Sequence, residues 1–250
     1  LRRPVTSARG GSMEQFKGCV GVDGAGSGWI AAWWGGGGLV HALYPDAQRL
    51  FHTHRTARVI AVDIPIGLCE QGGRPADREA RSFVGGKRAS SVFSTPVRGI
   101  LDAGSQPEAS RRHREIDGRG FGAHSFAILP KIRQWDQLLQ GDVDARQRVR
   151  EIHPEVSFAA LNGGAGRGLV DGKRTFAGAE VRVSLLAGIF GRDAVMELVR
   201  AVPARQAATD DILDALAALW SAERIAGGRA RSLPAQVEPD TTGLPAAIWY

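Results

Sequence analysis

The sequence predicts an α/β fold, and three observations carry that reading. Strand-like runs come first, in the order strand, strand, strand, short helix, strand. Two of those strands, the first and the fourth, each deliver an aspartate at their carboxyl end, Asp23 and Asp63. The later chain is mostly helical in pattern, and its last long helix carries Asp211 and Asp214.

The first run, Val20-Gly21-Val22-Asp23, is β-branched and then breaks into Gly24-Ala25-Gly26-Ser27-Gly28. A second strand follows over Gly28 to Trp34. Gly35 to Gly38 supplies the positive φ that a hairpin turn needs, and Leu39 to Tyr44 makes the third strand. Pro45 and Asp46 open a short helix through about Phe51. Arg58 to Ile64 is then an almost continuous apolar run of the kind buried on both faces, and Pro65-Ile66-Gly67 stops it just after Asp63. From about 72 to 140 the composition turns polar and basic, with helical patterns at Asp77 to Val84, Ser105 to Asp117 and Ser125 to Leu139 around Pro130; this reads as a helical insertion. It carries Arg78, Arg81, Lys87, Arg88, Arg98, Arg111, Arg112, Arg114, Lys131 and Arg133. Individually these are what a solvated helix face looks like; together they suit a phosphate backbone, with Arg78, Arg81, Arg98 and Lys131 as the substrate-binding candidates.

A fifth strand is expected over Arg148 to Val156, ending at Pro154 and bringing His153 and Glu155 near the other strand ends. Glu155 also fits an ordinary first-turn acid of the next helix. The Gly-rich stretch Asn162 to Gly172 ends in Lys173-Arg174, and Arg167 and Arg174 stand where a phosphate-binding P-loop needs Gly and Ser or Thr, so that motif is excluded. Helices follow at Gly178 to Ile189, Asp193 to Val202 and Asp210 to Ala226, the last capped by Thr209 and stopped by Gly227-Gly228. Asp211 and Asp214 share one face of it, and Ala215 and Ala218 are small enough to let that face approach the sheet. First-turn acids complement the helix dipole without further function, which accounts for Asp210 and Asp211 but less well for Asp214. The tail from Ser232 to Tyr250 is expected to fold back onto the body.

The chain has 250 residues, 43% hydrophobic and 23% charged, enough for one large domain with an insertion. Residues 1–12 read as a flexible leader or expression remnant, because they lack the apolar centre of a signal peptide, and 13–250 as a single domain. No apolar run reaches membrane-spanning length. Cys19 and Cys69 fit reduced, buried thiols, and the expected location is cytoplasmic. A net charge of +6 favours anionic partners and permits nucleic acid.

Bringing Asp23, Asp63, Asp211 and Asp214 together without a partner costs several kcal/mol or forces proton uptake. A divalent cation removes that cost. Hard oxygen donors with no Cys or His cluster select Mg²⁺ or Mn²⁺ over zinc. The chemistry this suggests is metal-dependent phosphodiester hydrolysis.

Val22-Asp23-Gly24, Val62-Asp63-Ile-Pro-Ile-Gly, His153-Pro-Glu155-Val and Asp211-Ile-Leu-Asp214-Ala-Leu-Ala together resemble a little-characterised bacterial family of predicted ribonuclease H-like nucleases. The resemblance spans nearly all of Cys19 to Tyr250 and includes Phe93-Ser-Thr-Pro96-Val-Arg98, Leu129-Pro-Lys131-Ile and Ala247-Ile-Trp-Tyr250. It implies a ribonuclease H-like fold: a five-stranded mixed sheet, first three strands antiparallel, flanked by helices. It also gives Asp23, Asp63, Asp211 and Asp214 metal-ligand roles; Glu155 belongs to the narrower family, and its position among the strand ends suits an extra ligand or proton handler. The Asp211-x-x-Asp214 helix motif is similar to that of Holliday-junction resolvases. Ribonuclease H proper carries a glutamate on the first helix, where Pro45 to His54 here offers only Asp46.

Two other readings compete. The strand hairpin with Asp23-Gly-x-Gly resembles actin-like ATPases and sugar kinases, nucleotide-binding phosphotransferases that normally need two such domains. A non-catalytic nucleic-acid or protein binding module would keep the fold with an idle acid cluster. The His52-x-His54 pair has no third ligand nearby and reads as surface loop. Trp33, Trp34 and Trp135 suit core packing better than base stacking.

Overall fold

The computed structural model of the protein describes residues 13–250; the expected leader lies outside the described residues. After a 3-10 turn at Met13–Phe16 come β1 (Cys19–Ala25), β2 (Gly28–Gly35) and β3 (Gly38–Tyr44), then α1 (Ala47–Thr53) and β4 (Val59–Val62). The insertion supplies α2 (Pro75–Val84), 3-10 turns at Gly86–Ser91 and Arg98–Ile100, α3 (Gln106–Asp117) and α4 (Ala123–Gly141). The chain continues through α5 (Val143–Arg148), β5 (Val149–Glu151), α6 (Pro154–Leu161), α7 (Phe176–Phe190), α8 (Arg192–Ala201) and α9 (Thr209–Ala226). It ends in two short strands, β6 (Ser232–Leu233) and β7 (Ile248–Trp249).

The main sheet has five strands in the order β3-β2-β1-β4-β5. β1, β2 and β3 pair antiparallel, whereas β4 is parallel to both β1 and β5. The expected α/β fold with a mixed sheet is therefore present. Gly36 and Gly37 turn β2 into β3 with φ of 60° and 88°, the doubly left-handed geometry that only glycine adopts cheaply. β4 is buried at all four positions, as its unbroken Val-Ile-Ala-Val run requires of a strand covered on both faces.

Side chains alternate across the sheet into two cores. Cys19, Ala25, Ala32 and Ala61 pack with α7, α8 and α9. Val20, Val22, Ile60 and Val62 pack with Trp29 and with α1, α3 and α4. The periodicity of two places Gly21 and Asp23 on the α9 side. There the packing is unusually close: a Cβ on Gly21 would stand 2.2 Å from the Ala215 carbonyl oxygen and 2.1 Å from the Leu219 amide nitrogen. Ala215 and Ala218 are fully buried in that contact, in keeping with the small face read from the sequence.

Four sequence expectations change. β1 runs two residues beyond Asp23, paired to β2 through Ala25. Its parallel neighbour β4 ends first, and the Asp63 amide donates to the Val22 carbonyl (3.0 Å), so Asp23 is exposed to the site by the end of β4 rather than by the end of its own strand. β5 is only three residues long, because Pro154 starts α6 and His153 caps it, its Nδ1 accepting from the Glu155 amide (3.2 Å). Thr209 is the first residue of α9 rather than its cap, and the Asp211 carboxylate accepts instead from the Ala208 amide (2.9 Å). α4 runs through Pro130 without ending. The tail folds back as expected, with β7 bridging Ile152 through Trp249.

Gly21→Ala forces β1 and α9 apart and is expected to cost about 1–3 kcal/mol, as overpacking of a close contact does. Urea unfolding monitored by circular dichroism measures it. A variant as stable as the wild type contradicts the close approach.

Candidate active site

Antiparallel passage of α9 over β1 sets the geometry. Two residues along a strand advance about 7 Å and one turn of helix about 5.4 Å. Gly21 meets Ala215 and Leu219, so the next outward position on β1, Asp23, lies near the preceding turn of α9, which carries Asp211 and Asp214. Asp63 enters from the end of β4 beside Asp23. The two carboxyls are close enough that the charge of Asp63 raises the pKa of Asp23.

Burial and mutual repulsion show in their acidities. Asp23 is 7% exposed, and burial, then the charges of Asp63 and Asp214, raise its pKa well above the ordinary range. Asp63 is raised chiefly by burial, against the pull of His153 and Lys173. Asp214 is pushed up to about 7, again by burial first, although Lys173 opposes the shift. Asp211, half-buried at the rim, is raised by burial and held back by the Ala208 amide.

Lys173 and Arg182 are the two groups that the sequence did not mark as site residues. Lys173 Nζ lies 2.7 Å from Asp214 Oδ2 and 3.3 Å from Asp210 Oδ2. Burial works against its charge, but Asp214, Asp23 and Asp63 outweigh burial and raise its pKa. The Gly-rich stretch that fails as a P-loop is what delivers this ammonium to the acids. Asp214 Oδ1 remains buried without a hydrogen-bond partner.

Glu155 also reaches the site, held differently. Its Oε1 accepts from Arg182 Nη2 at 2.6 Å, inside a fully buried ion pair with an arginine from α7, while Oε2 is buried and unpartnered. Two hollows of about 310 Å³ meet at these residues. One is lined by Asp23, Trp29, Asp63, Lys131, Lys173 and Asp211. The other is lined by Asp63, His153, Glu155, Lys173 and Asp214, with Arg88, Ser91 and Phe93 from the insertion. A separate hollow of about 480 Å³ between α1 and α4 holds none of the candidate site residues.

The structure thus gathers Asp23, Asp63, Glu155, Asp211 and Asp214. Of the four candidate substrate-binding cations it brings only Lys131 to them. Lys131 lies 5.1 Å from the Trp29 ring centre, and its pKa is lowered by burial against the attraction of Asp23, Asp211 and Asp63. Arg78 donates to the Gly73 carbonyl and Arg81 to Val92 and Ser94. Arg98 pins the tail, bonded to Asp136 (3.0 Å) and Asp240 (2.5 Å).

Among the described residues, no group of three or more His, Cys, Asp or Glu stands at the spacing of an assembled metal site. The donor set nevertheless suits a hard divalent cation. It is all oxygen, excess in negative charge, and includes one buried oxygen on Asp214 and one on Glu155 with nothing to bond.

The arrangement defines an α/β protein with a buried carboxylate cluster at the carboxyl ends of its central parallel strands. The chain belongs to the family described as Protein of unknown function (DUF429), whose profile matches residues 21–239. No curated protein and no solved structure matches it. No helix among the described residues is long and apolar enough to cross a membrane.

Two measurements follow from the electrostatics. A carboxyl whose folded pKa exceeds its unfolded value keeps a proton that the unfolded chain has released, so stability falls as pH rises between the two values. For Asp214 that window runs from the ordinary aspartate range to about pH 7, and Asp23 and Asp63 act in the same direction. In chelator-treated buffer the protein is expected to be more stable at pH 5 than at pH 8, by on the order of 1–3 kcal/mol. Asp214→Asn should shrink the difference; urea unfolding at both pH values decides, and equal stabilities contradict the coupled cluster. Arg182→Met leaves Glu155 buried and uncompensated and is expected to cost about 3–5 kcal/mol by the same assay, and a neutral outcome contradicts the buried ion pair.

Proposed function

We propose that the protein is a metal-dependent nuclease of ribonuclease H-like fold, a hydrolase acting on phosphodiester bonds of nucleic acid with Mg²⁺ or Mn²⁺. The observation that carries this reading is the convergence of Asp23, Asp63 and Asp214 from two strands and one helix, with a buried Asp214 oxygen left unbonded at the edge of a cavity. The strand order β3-β2-β1-β4-β5, with the first three antiparallel, supports the fold assignment.

Asp23, Asp63 and Asp214 would hold the ion, with Asp211 contributing from the rim. A divalent cation bound there supplies Lewis-acid polarisation of a phosphoryl oxygen. The chain's own groups do the rest. Lys131, restrained over Trp29 at the open side of the cluster, places a positive charge where a phosphate would enter. His153 has Nδ1 engaged as the cap of α6 and lines the second hollow beside Asp63, leaving its other nitrogen to take up or release a proton. Glu155 is oriented by Arg182 so that its free oxygen can order water or a further ligand. One observation favours a second reading, a binding module with an idle cluster: Lys173 already neutralises part of the acid charge.

Titration calorimetry with Mn²⁺ separates the two. Micromolar binding by the wild type, weakened by more than the 10–100-fold typical of an outer-shell change in both Asp23→Asn and Asp214→Asn, supports the nuclease. Cleavage of a panel of RNA, DNA, hybrid and branched substrates in Mn²⁺ then identifies the substrate. A wild type that binds no Mn²⁺ overturns the reading in favour of the binding module.

A further inference from the structure

Lys173 stands at the junction of both hollows, each of about 310 Å³, and is shared by them together with Asp63. Its ammonium bonds one oxygen of Asp214 at 2.7 Å and leaves the other buried and unpartnered. Among the described residues, Asp23 and Asp63 have no ion pair within 4.0 Å. The cluster is thus divided: Asp214 has a resident cation on one side, and the Asp23 and Asp63 pair has none.

We propose that Lys173 permanently occupies one of two cation positions among these carboxylates, so that the site takes a single divalent metal ion, held by Asp23 and Asp63 with the unbonded oxygen of Asp214. The inference rests on the metal-dependent reading above. Charge balance supports it. Asp23, Asp63 and Asp214 carry three negative charges when ionised, and one divalent ion with one ammonium neutralises them. Asp210 and Asp211 at the rim do not alter the balance, because Arg174 and Lys131 offset them; a second divalent ion beside Lys173 would leave two positive charges in excess among the aspartates, a costly arrangement. Glu155 does not alter the balance, because Arg182 already compensates it. Lys173 also lies at the end of a glycine-rich stretch, with its side chain 37% exposed, so its aliphatic stem reaches inward from solvent while the ammonium sits on Asp214.

Mn²⁺ calorimetry on the wild type, Lys173→Met and Lys173→Arg tests the proposal, with a melting curve for each variant. One ion per chain is expected in the wild type and in Lys173→Arg, and two in Lys173→Met. Two ions in the wild type, or one in a folded Lys173→Met, overturns the proposal and leaves the metal-dependent reading intact. The paramagnetic resonance spectrum of Mn²⁺ on the wild type needs no variant: a mononuclear signal supports the proposal, and a spin-coupled pair overturns it. Failure of all three proteins to bind Mn²⁺ overturns the metal-dependent reading, and this proposal with it.

Discussion

The site depends on one contact, the passage of α9 directly over the backbone of β1 at Gly21. No side chain separates the helix from the strand there, since the space a Cβ would fill is occupied by the Ala215 carbonyl and the Leu219 amide. That approach fixes where the preceding turn of α9 lies, and therefore how near Asp214 comes to Asp23. A larger residue at Gly21, or at Ala215 or Ala218, would lift the helix by the thickness of a side chain. The acids would then stand too far apart to share a cation. Packing of the core and assembly of the cluster are the same event.

That assembly is electrostatically expensive, which explains why cations are brought in from distant parts of the chain. Buried carboxylates either take up protons or find positive partners. Both tendencies show here: burial raises the pKa of Asp23 and of Asp63, Lys173 bonds Asp214, and Arg182 bonds Glu155. The Glu155 and Arg182 pair is fully internal and links α6 to α7. Lys173 differs in that its side chain reaches the acids from a loop and remains partly exposed, whereas Arg182 is wholly internal.

How much of this was legible in the sequence follows from the range of each interaction. The strand meander, the buried β4 run and the small face of α9 are local patterns, and they were readable because periodicity and residue size act within a few positions. The boundaries failed where two local rules competed. Asp23 beside glycines looked like a strand end, but the pairing of β1 with β2 carries the strand on to Ala25. Pro154 fitted both the end of β5 and the first turn of the next helix, and the second holds, with His153 as the cap of α6. Thr209 is a good capping residue by type, yet Asp211 reaches back to the Ala208 amide. Lys173 and Arg182 were not legible as site residues at all. Each meets its carboxylate across 41 or 27 positions of chain, and nothing in the local sequence encodes that distance. The one available signal was a lysine ending a glycine-rich stretch, which gains meaning only once the acids are known to need a counter-charge.

The basic insertion shows why counting cations overstates a binding surface. Arg98 lies between Asp136 of α4 and Asp240 of the tail, and Arg81 bonds the Val92 carbonyl and Ser94. These side chains tie the insertion and the tail together, and their charge is largely spent within the fold. What remains near the acids is Lys131 on one side and, on the other, Arg88 with the stretch ending in Lys173 and Arg174, with Arg174 88% exposed. An anionic ligand would therefore meet positive charge from two directions across a narrow carboxylate-lined opening, rather than along a broad basic face. On the function proposed above, such a layout would hold a phosphate group at one point. On that proposal, the few cations placed beside the acids would matter more to ligand choice than the net charge of +6.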